Sequence, residues 1–197
     1  MKRIVVGISG ASGVIYGIRL LKVLKETEWE THLVISEAAK QNILLETSLT
    51  VKEVEDLADK VYDPKNQAAA ISSGSFKTSG MVIVPCAIKT LSGVAHSFNE
   101  NLLIRAADVT LKERRRLILV VRETPLHKGH LALMQKVVDL GGIILPPVPA
   151  FYTSPKSIDD LINHTIGKIL DIMEIDHTLY KRWEGEEKIK RPAPKRN

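Results

Sequence analysis

At 197 residues, 44% of them hydrophobic, the chain has the length of one domain and apolar content enough for a core. It contains no apolar run near the roughly eighteen residues of a membrane span, and its start runs directly into a strand pattern, which predicts no signal peptide. The single cysteine, Cys86, excludes an internal disulfide and fits a reducing cytoplasm, and the formal charge of +5 points to nucleic acid only until the charges are located, at the end of the chain.

The first apolar run is Ile4–Ile8. It is continuous rather than alternating, as a strand covered on both faces should be. Gly7 lies within it, Gly10 and Gly13 follow, and Ile15, Ile18, Leu21, Val23 and Leu24 then make one apolar face of a helix expected over 13–26. Strand, tight turn and helix start in that order form an anion site, since unpaired N–H groups point outward and glycines let a phosphate approach. Ser9 and Ser12 could add hydroxyl donors; a plain strand-to-helix turn is the alternative. The nicotinamide pattern G-x-G-x-x-G is not met, because it needs glycine where the chain has Ile8. After the next run, Leu33–Ile35, Ser36 stands where a dinucleotide site wants an acid for a ribose, and Glu37 comes one residue late. A mononucleotide held by its single phosphate fits better than NAD.

A helix is expected over 37–46, and Lys60–Tyr62 reads as a short edge strand. Met81–Val84 leads through Pro85 and Cys86 into Ala87-Ile88-Lys89-Thr90 and a helix over 87–96. The helix over 101–114 places Arg105 and Lys112 seven residues apart, hence on one face, with Asp108 between them. Two such cations could clamp a phosphate dianion, whereas Arg114-Arg115-Arg116 reads as a solvated helix end favoured by the macrodipole. Leu117–Val121 runs into Arg122-Glu123-Thr124-Pro125. A carboxylate just past a buried strand could be partly desolvated, which raises its pKa and suits proton transfer; an ion pair capping the loop explains the position equally well. Beyond a helix over 128–140, Ile143–Leu145 leads into the proline-stiffened loop 146–155 and Tyr152. The last helix, over 156–173, carries Lys168, which by itself reads as snorkelling from an apolar stripe. His127 and His130 lack a cysteine or acidic partner for a metal, and Cys86 reads as a small buried residue. Finally, Lys188, Lys190, Arg191, Lys195 and Arg196 carry five positive charges with no acid among them. The net charge therefore belongs to a basic tail over 188–197, read as disordered, and residues 1–187 form a neutral body for which nucleic-acid binding is not expected.

Alternating strands and helices of this kind predict an α/β fold, a Rossmann-like doubly wound parallel sheet in a single domain. Ligands in such sheets gather at the carboxyl ends of the strands. Glycines, hydroxyls, cations, Glu123 and Tyr152 all follow strand ends, and so converge on one edge.

Taken together, GISGASG at 7–13, ISSGSF at 71–76, PCAIKTL at 85–91, RAADVTLKERR at 105–115, RETPL at 122–126, PAFYTSP at 149–155 and RW at 182–183 resemble the UbiX-like flavin prenyltransferases. These belong to the superfamily of homo-oligomeric flavin-containing cysteine decarboxylases. The ISSGSF segment and the tail are most similar to members encoded with hydroxyarylic-acid decarboxylases. The resemblance implies a Rossmann-like flavoprotein assembled as a dodecamer, which joins a dimethylallyl group from dimethylallyl phosphate to N5 and C6 of reduced FMN without a metal. Its product, prenylated FMN, is the cofactor of UbiD-type decarboxylases. Carried over by motif, FMN would meet Gly10, Ala11, Ser12, Ser36, Ala87, Ile88, Lys89, Thr90 and Arg122. Dimethylallyl phosphate would meet Tyr152, Lys168, Arg105 and Lys112, Glu123 and Ser12 would serve catalysis, and Glu46 would reach a neighbouring subunit's site. Ala87 departs from a common serine, Lys168 from a frequent arginine whose bidentate geometry a lysine lacks, and His127-Lys128-Gly129 from a serine-containing turn. Two other readings stand beside this one. An FMN-dependent decarboxylase of peptidyl-cysteine should have an N-terminal histidine and an Asn-rich motif, which the chain lacks. A non-catalytic FMN-binding subunit of an aromatic-acid decarboxylase is the other.

Overall fold

A computed structural model describes residues 2–183 and Gly185; the basic tail expected over 188–197 lies outside the described residues. The elements are β1 (Arg3–Ile8), α1 (Val14–Lys25), β2 (Glu30–Ile35), α2 (Glu37–Glu46), α3 (Val51–Glu55), β3 (Lys60–Tyr62), a 3-10 turn (Ala70–Ser72), β4 (Gly80–Cys86), α4 (Ile88–Ala95), α5 (Leu102–Lys112), β5 (Arg116–Val121), α6 (Lys128–Asp139), β6 (Ile143–Ile144) and α7 (Ile158–Met173). The six strands form one sheet in the order β3-β2-β1-β4-β5-β6, and every pairing is parallel. The apolar runs are continuous because both faces are covered. Ile4, Val6 and Ile8 pack with Ile18 and Leu21 of α1 and Ile166 and Ile169 of α7. Val5, Met81 and Ile83 pack on the other side with Leu91 of α4, Leu103 of α5 and Val137 of α6.

The chain leaves β1 toward β2 and β3 on one side, then returns to start β4 on the other. That reversal opens a crevice at the carboxyl ends of β1 and β4, where a doubly wound sheet takes its ligand. Two glycines draw the walls together. A Cβ on Gly17 would stand 2.5 Å from the Val84 carbonyl oxygen, so α1 lies directly on β4; one on Gly10 would stand 2.5 Å from Ala38 Cβ, at the start of α2.

Lys60–Tyr62 is the edge strand expected. The sequence did not reveal α3, which opens on a reciprocal capping box between Thr50 and Glu53, nor the 3-10 turn. β2 begins three residues before its apolar run, because its polar residues are satisfied from outside the strand. The Thr31 amide and hydroxyl donate to Asp59 Oδ2 at 2.7 and 2.9 Å, and His32 Nδ1 lies 2.8 Å from the Tyr62 hydroxyl.

Candidate functional site

A cavity of about 520 Å³ opens at the switch point, lined among others by Gly10, Ser36, Ala87, Lys89, Thr90 and Ile104. Five of the residues that the family resemblance assigned to FMN thus meet in one place. Ala11 is buried in the first turn, where its carbonyl oxygen accepts from Asn42 Nδ2 at 3.1 Å. Ser12 is exposed at the crest of that turn and Ile88 is half-buried. The Arg122 amide donates to the Cys86 carbonyl at 3.1 Å, while its side chain is exposed.

Four helices begin near this cavity, and their first-turn amides decide where an anion can sit. At α1, Gly13 and Val14 N–H donate to Glu46 Oε2 at 2.8 and 3.2 Å. The anion place that the sequence pointed to first is therefore filled by a carboxylate from the same chain. Glu46, expected at a neighbouring subunit's site, here has an intrachain partner, because α2 ends beside the start of α1. At α2 the Ser36 hydroxyl accepts from Ala39 N–H at 3.2 Å, and at α5 Asn101 accepts from Ile104 N–H at 3.0 Å. At α4 the cap is Ala87, which offers no side-chain acceptor. Ala87, Lys89 and Thr90 line the cavity, so the start of this helix, with the dipole behind it, suits a phosphate. Ser9 is also reassigned: fully buried, it donates to the Pro85 carbonyl at 3.0 Å and accepts from Ala87 N–H at 2.8 Å. It stitches the two loops rather than reaching an anion. Lys89 pairs with Glu100 at 3.2 Å on the rim, both side chains well exposed, so the pair contributes little and can open.

The remaining candidates are elsewhere. On α5, Arg105 Nε donates to the Ser72 carbonyl at 3.1 Å and Nη1 pairs with Asp108 at 3.3 Å; Lys112 pairs with Glu113. On α7, Lys168 is exposed one turn beyond His164, whose Nε2 lies 3.0 Å from the Tyr152 hydroxyl. Since α5 and α7 pack on opposite faces of the sheet, one chain does not bring Arg105 and Lys112 together with Lys168. Glu123 is exposed, its Oε1 accepting from Thr124 N–H at 2.9 Å. The partial desolvation that its place after a buried strand allowed is not seen, because none of the described residues buries it.

Cys86 is wholly buried and burial pushes its thiol pKa up, which makes it a poor nucleophile. His127 Nδ1 caps α6 by accepting from Gly129 N–H at 3.0 Å and His130 N–H at 3.4 Å. Among the described residues no group of three His, Cys, Asp or Glu side chains could hold a metal, and no helix is long and apolar enough to cross a membrane.

Sequence reasoning passed over His164 and the network beside it. Asp171 accepts from Tyr180, from Arg182 at 2.6 Å and from His177 at 3.1 Å. Burial raises its pKa, but those three donors outweigh burial and hold it at about 2. The strap so fastened carries Trp183, whose ring meets Tyr152 edge-on at 6.0 Å. The spacing of His164 and Lys168 at i and i+4 was the available signal.

A parallel sheet with an uncapped helix start facing a crevice at its switch point defines a nucleotide-phosphate-binding α/β protein, and residues 1–183 match the Flavoprotein family. More narrowly, the chain belongs to the UbiX flavin prenyltransferases. It is 58% identical over 188 residues to flavin prenyltransferase UbiX of Escherichia coli K12, covering 94% of this chain and all, 100%, of that one. It is similar to a UbiX protein solved in complex with FMN and dimethylallyl pyrophosphate, with a TM-score of 0.93, 47% identity and coverage of 94% of this chain and 99% of the other. A dodecameric FMN-dependent UbiX-like decarboxylase from Escherichia coli O157:H7 gives a TM-score of 0.91 at 44% identity, covering 93% of this chain and 100% of that one.

Proposed function

We propose that the protein is a flavin prenyltransferase that joins the dimethylallyl group of dimethylallyl phosphate to N5 and C6 of reduced FMN. The observation that carries this reading is the near-complete similarity to flavin prenyltransferase UbiX combined with an open α4 start on the switch-point cavity. The cavity fits a mononucleotide. Gly10 lines it with no side chain to narrow it, the start of α4 has no side-chain cap, and Ser36 and Thr90 line the same space. Bound reduced FMN supplies the electron-rich ring positions that accept the allyl group.

The chain's own residues do the rest. Tyr152 and Lys168 of one subunit and Arg105 and Lys112 of another hold the donor phosphate. This division rests on their placement on opposite sheet faces and on the dodecameric state of a similar structure. As the allylic C–O bond breaks, negative charge grows on the phosphate, and preorganised cations stabilise it most at that point. Glu123 moves a proton between the acceptor ring and the departing phosphate, in a loop that a neighbouring subunit covers. Ser12, exposed at the crest of the first turn, offers a hydroxyl to the same chemistry. The product serves a UbiD-type decarboxylase of the hydroxyarylic-acid class, in the cytoplasm.

Incubating the protein anaerobically with reduced FMN and dimethylallyl phosphate, then taking a mass spectrum of the released flavin, tests the reading. A flavin heavier by one prenyl group is expected. Recovery of unchanged FMN would leave only a flavin carrier.

A further inference from the structure

Tyr152 and His164 form a pair that the reaction above does not use in full. The phenol oxygen lies 3.0 Å from His164 Nε2, and the rings meet edge to face with centroids 5.6 Å apart. The phenol is exposed but the imidazole is buried, at 54% and 8% exposure. Tyr180 closes the other side of the imidazole at 4.7 Å between centroids and is itself tied through its hydroxyl to Asp171. The charged and titratable groups around His164 are therefore Lys168 and Asp171 of α7, Tyr152 of the preceding loop, and Tyr180 of the strap. Burial first, and then Lys168, push the imidazole pKa below its ordinary value, against a smaller pull from Asp171.

We infer that His164 is a positioning residue for prenyl transfer: its Nε2–H donates to the Tyr152 oxygen, so that the phenol's single proton is directed outward to the donor phosphate. The inference rests on Tyr152 belonging to the dimethylallyl phosphate site. A phenol has one proton to give and accepts at its oxygen. Donated to bare Nε2, that proton would have to leave the imidazole before it could meet a phosphate. Held from behind by an N–H, the phenol is already aimed, and no reorientation is needed when the substrate arrives. A neutral imidazole in a buried slot is well suited to this, being locked by Tyr180 and carrying no charge to compete with Lys168 for the anion.

The test uses the full oligomer with His164→Phe and His164→Gln, each alone and combined with Tyr152→Phe. Removing one net hydrogen bond should lower kcat/KM for dimethylallyl phosphate about three- to tenfold in His164→Phe, through KM, with FMN affinity unchanged. His164→Gln, whose amide can donate to the same oxygen, should recover most of that loss. In the Tyr152→Phe background His164→Phe should cost nothing more, which a merely structural role would not produce. Calorimetric binding of dimethylallyl phosphate to the oxidised-FMN complex should follow the same pattern without turnover. Additive losses, a silent His164→Phe, or a His164→Gln as poor as His164→Phe would overturn the inference alone. A silent Tyr152→Phe would overturn the donor role of Tyr152 as well. Should His164→Phe fail to fold, nitrogen NMR of the parent imidazole decides: a proton on Nε2 supports the inference, and one on Nδ1 overturns it.

Discussion

The two ends of the proposed site are built differently. The flavin end is tied together inside one chain: Ser9 locks the β1 and β4 loops together, Glu46 and Ser36 satisfy two helix starts, and α4 alone among the four is left without a side-chain cap. The donor end is a set of exposed or loosely paired groups, Glu123, Lys168, Arg105 and Lys112, spread over opposite faces of the sheet. On the proposed reading, the place for the mononucleotide is more nearly formed by one chain than the place for the donor. Binding and chemistry should separate under mutation and under dissociation of the assembly.

The sharpest separation is expected at Glu123. Glu123→Gln keeps the loop and its contact to Thr124 but removes the proton acceptor, and general acid–base help is typically worth about 10²–10⁴-fold. Single-turnover assays with anaerobically reduced FMN should show a loss in that range with FMN affinity near the parent's. Turnover at the parent rate would make the carboxylate structural.

The cations come next. Losing one preorganised electrostatic partner typically costs about 10²–10³ in rate, so Arg105→Ala and Lys168→Ala should each be nearly inactive yet bind FMN. If the donor end is shared between subunits, dissociating and reassembling the two variants together should restore measurable turnover, because some sites then draw an intact α5 from one chain and an intact α7 from another. No recovery in verified mixed oligomers would place both halves in one chain.

Gly10→Ala probes the flavin end instead. Its Cβ would fall 2.5 Å from Ala38 Cβ, and forcing such a contact costs about 1–3 kcal/mol. Weaker FMN binding by calorimetry and a lower melting temperature are expected together, with the prenyl-transfer rate at saturating FMN changed least.

This contrast also explains what was legible in the sequence. The strands and most helices could be read because their apolar periodicity is local, and both faces of the sheet demand it. Glu46 was assigned only through the family resemblance, to a neighbouring subunit's site; its contact to Gly13 crosses 33 positions and nothing local marks it. Ala87 stood out in the sequence only as a departure from a common serine; in the fold its missing hydroxyl is what leaves the start of α4 without a side-chain cap. Thr31 and His32 hid the start of β2, because the partners that make them tolerable, Asp59 and Tyr62, arrive from just before and within β3. For Glu123 the sequence left partial desolvation and an ion pair capping the loop equally open, because burial is a property of what covers a loop rather than of the strand before it.

The smallest effect expected concerns acid, and it falls on neither end of the site alone. His32 and His164 both have pKa values pushed below the usual 6.5, first by burial. Each is neutral in the fold at pH values where the unfolded chain is already taking up a proton. Stability rises with pH wherever the unfolded state binds more protons. The contribution of these two residues is thus complete above about pH 6.5 and is lost as pH falls from there through their folded values. Asp171 works in the same direction but much lower, its stabilising hydrogen bonds being lost only between 3.8 and about 2. The melting temperature should consequently drop between pH 7 and 5, well before Asp171 titrates. His32→Phe, placed against Phe76 at 5.1 Å between ring centroids, should flatten that slope, and an unchanged slope would assign the acid sensitivity to other groups.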